Sequence, residues 1–138
     1  MNADFLDAHQ RHLNDAERLF QLRRWANADH LYGVAAECGL KTLMIVFGME
    51  TNSTGTPLRT DDKQHADRIW GRFESYRSGF LPGAGYSLPG SNPFVGWNVN
   101  QRYAHQTNFD QRSVKPHQDG AWAVRDLVKK AQLEGLLI

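Results

Sequence analysis

The 138 residues carry 16 Lys and Arg against 15 Asp and Glu, a formal charge of +1, with 41% hydrophobic and 11% aromatic residues. Such a chain fits one domain with one buried core and excludes a disordered, low-aromatic polypeptide. The near-neutral balance excludes a polybasic, non-specific DNA binder, so any nucleic-acid site must be a local cluster. Cys38 is the single cysteine, which excludes an internal disulfide and a Cys-based zinc site.

Residues 4–25 read as an amphipathic helix. Leu6, Leu13, Ala16 and Phe20 share one face with Leu19 beside them, and Arg11, Asp15 and Arg18 lie opposite. Charges throughout residues 1–20 interrupt any signal-peptide core. Glu37 and Lys41 break the longest weakly polar stretch, 31–49, so no membrane span is expected and the reducing cytoplasm is the expected compartment.

Asn27 is the expected N-cap of a second helix reaching Phe47, apolar nearly all round and therefore central. Gly33, Ala35, Ala36 and Gly39 would let a neighbouring helix approach closely. Glu37 and Lys41 are spaced for a structural ion pair, with Arg102 the expected further partner of Glu37. Cys38, among small residues, reads as an inert core thiol. His9 and His12 are three apart, but with no further ligand spacing around them no metal site is expected, nor a cofactor.

After a polar loop, Thr60 is the expected cap of a third helix, 61–77, closed by Gly79, with Ile69, Phe73 and Tyr76 as its apolar stripe. Residues 78–96 hold five of the twelve glycines and three of the five prolines, yet also Phe80, Leu81, Tyr86, Leu88 and Phe94. They read as an ordered irregular insertion packing its aromatics on the bundle. Trp97–Tyr103 follows as an extended or turn segment, with Trp97 plugging the bundle's open end. Pro116 is the expected first residue of a last helix that buries Ala121, Val124, Val128 and Ala131. The expected fold is all-α: an up-and-down four-helix bundle with a long Gly/Pro-rich insertion before its last helix.

Ala28 to Leu43 (ADHLYGVAAECGLKTL) resembles the second helix of HEPN domains, and Asp15-Ala16 and Arg102-Tyr103 are similar to that family's first helix and its third-to-fourth connection. The resemblance spans 5–47 and 97–135. It implies a helical bundle that forms a homodimer and acts on RNA or a nucleotide, or sits beside a nucleotidyltransferase-type partner. Ribonuclease members of toxin and defence systems carry Arg, a polar residue and a following His. Here Arg112 and His117 match that spacing, with Ser113 in the polar slot and Pro116 before the His.

Metal-independent RNA cleavage needs a base for the ribose hydroxyl and a cation for the phosphorane, roles that His and Arg suit. Arg102, His105, Arg112, Lys115 and His117 fall within sixteen residues opposed only by Asp110. Arg112 and His117 are the candidate catalytic pair, converging if the last helix starts at Pro116 with its free amides facing a phosphate. Arg102, Tyr103, His105 and Lys115 are the candidate RNA- or nucleotide-binding residues, with Tyr103, Trp97 and Phe109 available to stack on bases. Two alternatives stay open: a non-catalytic module that dimerises or docks on a partner, and a small-molecule bundle with a pocket of Trp70, Phe73, Tyr86 and Trp97.

Overall fold

The computed structural model describes residues 1–137. Four helices make up its regular structure: α1 (Phe5–Gln21), α2 (Trp25–Val46), α3 (Ala66–Ser78) and α4 (Gln111–Leu133). Short 3-10 turns occupy Thr60–Asp62, Leu81–Gly85, Val99–Tyr103 and Gln106–Asn108. No strand occurs among the described residues, and no helix there is long and apolar enough to cross a membrane.

α2 is the central element, with α1, α3 and α4 all packed on it. Its all-round apolar sequence is the cause, since Tyr32, Ala35, Ala36, Leu40, Leu43 and Met44 face different neighbours and are all fully buried. Leu13 and Ala16 meet it from α1, Ile69 and Phe73 from α3, and Val124 and Val128 from α4. Trp70, Phe73, Tyr86 and Trp97 are buried side chains of the core. Tyr86 and Phe94 enter the core from the irregular segment, whereas Phe80 and Leu81 stay exposed.

Two glycines of α2 are required by close approach. A Cβ at Gly33 would lie 2.1 Å from Cε2 of Trp97, and one at Gly39 would lie 2.6 Å from Nδ1 of His9. Gly39 thus admits side chains of the neighbouring helices α1 and α4, as expected, whereas the notch at Gly33 takes the Trp97 indole from outside the helices.

The helix starts differ from the sequence expectation, each for a local reason. α1 ends in a Schellman closure: Arg23 N–H donates to Phe20 O and Arg24 N–H to Leu19 O, with Arg23 at φ 59°. α2 then restarts at Trp25, so Asn27 is its third residue and not its cap. α3 begins at Ala66 instead of Asp61, and Thr60 does not cap it. Asp62 is drawn fully inside, where Arg72 Nε and Tyr76 Oη each donate to it at 2.6 Å, and the chain leaves the helix axis to allow this. α4 starts at Gln111, five residues before Pro116, because Asp110 and Ser113 form a reciprocal capping box.

Candidate functional site

The residues singled out in the sequence separate onto two faces. Arg112 and His117 are five positions apart on one continuous helix, which turns them about 140° from each other. Arg112 is exposed with Gln111, Lys115, Pro116 and Asp119 around an open depression, whereas His117 turns inward. The two do not converge. Nor do free amides of α4 face a phosphate beside His117, because the Asp110 carboxylate accepts from Ser113 N–H at 2.8 Å and puts negative charge at that helix start. Lys115 is paired with Asp119 at 3.0 Å.

His117 is engaged on the other side. Its Nδ1 lies 2.5 Å from Oδ1 of Asp29, a buried carboxylate on α2. An ionised carboxylate only accepts, so Nδ1 donates to it and the ring is held in one orientation. Gln101 Nε2 donates to the other Asp29 oxygen at 2.5 Å, and Trp97 Nε1 donates to the Asp29 carbonyl at 3.0 Å. The ring of Phe94 stacks on His117 at 5.2 Å. Sealed polar side-chain atoms without a partner among the described residues are His9 Nε2 and His30 Nδ1, and the His117 side chain is 14% exposed. Asp29 thus ties α2, α4 and the 99–103 turn together around one oriented imidazole.

Residues 99–108 lie against the first turns of α2. Between them is a cavity of about 390 Å³ lined by Arg23, Arg24, Trp25, Ala26 and Asn27 on one side and Ala104, Gln106 and Thr107 on the other. The amides of Trp25, Ala26 and Asn27 have no partner within the helix, and no side chain among the described residues caps the start of α2. Arg23 and Arg24 are exposed, and no acidic residue lines the cavity. Arg23 holds a left-handed conformation that costs a non-glycine residue about 1 kcal/mol, a strain of the kind that gathers at functional sites.

The remaining candidates belong to this end. Arg102 stacks over the exposed Tyr103 ring at 4.8 Å. It also stands near His30, whose ring lies parallel to Trp97 at 5.8 Å and whose pKa is lowered by burial first and by Arg102 next. His105 Nδ1 lies 3.2 Å from the Thr107 amide and 2.9 Å from Thr107 Oγ1 and caps the 106–108 turn. Arg102 does not reach Glu37. Instead Glu37 binds Lys41 at 3.0 Å and His65 at 2.9 Å, because the 99–103 turn sits at the start of α2, two helical turns away.

Elsewhere, burial pushes the Cys38 thiol up to about 12, as suits an unreactive core residue. His9 and His12 lie three apart on α1, and no cluster of three or more metal-ligating side chains occurs among the described residues. Sequence reasoning missed Arg23, Arg24, Asn27, Asp29 and Gln101. The adjacent Arg23-Arg24 pair just before the central helix was the available signal for the first two.

Comparison with protein-family models, curated proteins and solved structures finds no match for this chain.

Proposed function

We propose that the end of the molecule built by the start of α2 and residues 99–108 binds RNA through its phosphates. The observation that carries this reading is the uncapped N-terminus of α2, opening with Arg23 and Arg24 onto a cavity of about 390 Å³ free of acidic lining. Unpaired amides at the positive end of a 22-residue helix favour a phosphate oxygen, and two guanidinium groups fork onto it. The exposed Tyr103 ring, with Arg102 over it, offers a stacking surface for an adjacent base. The resemblance of α2 to the second helix of HEPN domains supports the same class of ligand.

Fluorescence anisotropy with a short labelled single-stranded RNA tests the proposal. Arg24→Ala is expected to weaken binding several-fold, and a nucleoside triphosphate is expected to compete. Equal affinity of wild type and Arg24→Ala would contradict the reading. Absence of RNA binding altogether would favour the alternative, an interaction module that dimerises or docks on a nucleotidyltransferase-type partner.

A second reading, metal-independent RNA cleavage, has one observation in its favour. The Asp29–His117 pair orients an imidazole at a partly exposed position, as a general acid or base requires. Its cation would come from the Arg-bearing end of α2, since Arg112 faces away. Incubation with mixed RNA in EDTA separates the cases. Cleavage lost in His117→Ala and Asp29→Asn but kept in Arg112→Ala supports a base at His117. Background cleavage in all variants leaves binding alone.

A further inference from the structure

On a different face, α1 and α4 flank a groove of about 250 Å³. His9 forms part of its floor and is 1% exposed. Its Nδ1 lies 2.7 Å from the carbonyl oxygen of Ala35 on α2. A carbonyl only accepts, so Nδ1 holds the proton and Nε2 is a bare acceptor. The two ring nitrogens point to nearly opposite sides. With Nδ1 aimed at α2, Nε2 lies on the far side of the ring, sealed from solvent while the ring itself lines the groove. Gly39 of α2 leaves the space that the ring fills: a Cβ there would lie 2.6 Å from His9 Nδ1. Nε2 has no donor among the described residues. A buried acceptor left in this state is destabilising, so a donor supplied by a ligand recovers free energy. Burial, and secondarily the nearby Arg125, hold the ring neutral against the opposing effect of the Ala35 bond.

The rest of the groove selects the ligand's other end. Arg125 and Lys129 on α4 line it beside Trp122, and no carboxylate does. The nearest acid to Arg125 is its chain neighbour Asp126, at 3.7 Å, too long for a tight pair. Two cations with no acid between them call for an anion. They also disfavour an ammonium as the donor to Nε2, so the donor is a neutral group, of which a hydroxyl is the smallest carried on a carboxylate ligand. Arg125, with its side chain 43% exposed, can swing to admit it.

We propose that this groove binds a small hydroxylated carboxylate, its hydroxyl donating to His9 Nε2 and its carboxylate held by Arg125 and Lys129. The proposal is independent of RNA binding at the start of α2.

Malate and succinate differ only by the hydroxyl and are the direct probes. Isothermal titration of the full chain is expected to show malate binding about tenfold tighter than succinate, the worth of one hydrogen bond to a buried acceptor. Arg125→Ala and Lys129→Ala, both at the groove's opening, are each expected to weaken malate several-fold without loss of fold. In protein labelled with 15N-histidine, the Nε2 resonance of His9 is expected to move upfield with malate and to stay in place with succinate, which reads the contact without altering His9. Sulfate, an anion with no hydroxyl at neutral pH, serves as the anion control and is expected to leave the Nε2 resonance unmoved. Equal affinities for malate and succinate, an Nε2 resonance indifferent to saturating malate, or no binding of malate at millimolar concentration would each overturn the proposal.

Discussion

Two long helices begin at neighbouring places in this fold and begin in opposite ways. α4 opens behind Asp110, whose carboxylate accepts from Ser113 N–H while Ser113 Oγ accepts from Asp110 N–H. Its positive end is already neutralised by an acid. α2 opens behind Arg24 with no side-chain cap among the described residues, its preceding residue Arg23 in the left-handed region and a cavity in front of it. One helix start is closed for stability, and the other is left open with cations added. A helix dipole is common to every helix. Whether it becomes a binding site depends on what occupies the first turn, and that separates α2 from α4 despite the Arg-x4-His spacing on the latter.

The strongest way to break this contrast is to remove what holds the 99–108 segment against α2. Trp97→Ala deletes a buried indole seated on Gly33 and is expected to cost about 3–5 kcal/mol in urea unfolding, with loss of RNA binding in the protein that remains folded. The next largest effect falls on the ligand. Replacing both Arg23 and Arg24 by Ala is expected to weaken RNA at least tenfold near physiological salt and to flatten the salt dependence by about 1.4 in log–log slope, the value for two phosphates on a single strand.

Substitutions at one helix start at a time separate stability from affinity. Asp110→Ala removes a cap and is expected to cost about 1 kcal/mol of stability with RNA affinity unchanged. Arg23→Gly should do the reverse. It relieves the left-handed strain, so stability is expected to rise by up to about 1 kcal/mol while affinity falls, the pattern of a residue kept for function.

The smallest effect is on pH. His9, His12 and His30 all have pKa values lowered from 6.5, with burial the largest cause in each. Each therefore binds its proton more readily in the unfolded chain. Stability contributed this way is present above about 6.5 and is lost as pH falls below it. Urea midpoints are expected to decline between pH 7 and pH 5, and a flat or rising profile would contradict the neutral-histidine assignment.

Much of the helical architecture was legible because burial leaves periodicity. The wrapped apolar sequence of residues 31–47 announces a central helix, and the Leu13–Ala16 and Val124–Val128 spacings announce faces packed on it. The helix starts were less legible, because they depend on a left-handed Arg23, on Asp62 reaching Arg72 and Tyr76, and on Asp110 meeting Ser113. The last of these lay within reach, since Asp three residues before Ser is a capping signal that outranks a following Pro. Arg102, Tyr103 and His105 stood out as a basic and aromatic run. Their neighbours across the cavity are some 80 residues earlier in the chain, and the Asp29–His117 contact spans 88 positions. No local pattern marks such a pairing. Periodicity reports which face is buried but not which polar groups meet beneath it.

The most direct measurement sets the two helix starts against each other: RNA affinity and its salt dependence for Arg24→Ala beside Arg112→Ala. The expected result is a several-fold loss and a shallower salt slope for Arg24→Ala, with Arg112→Ala within about twofold of wild type. A loss confined to Arg112→Ala would place the phosphate site at α4 and contradict the account.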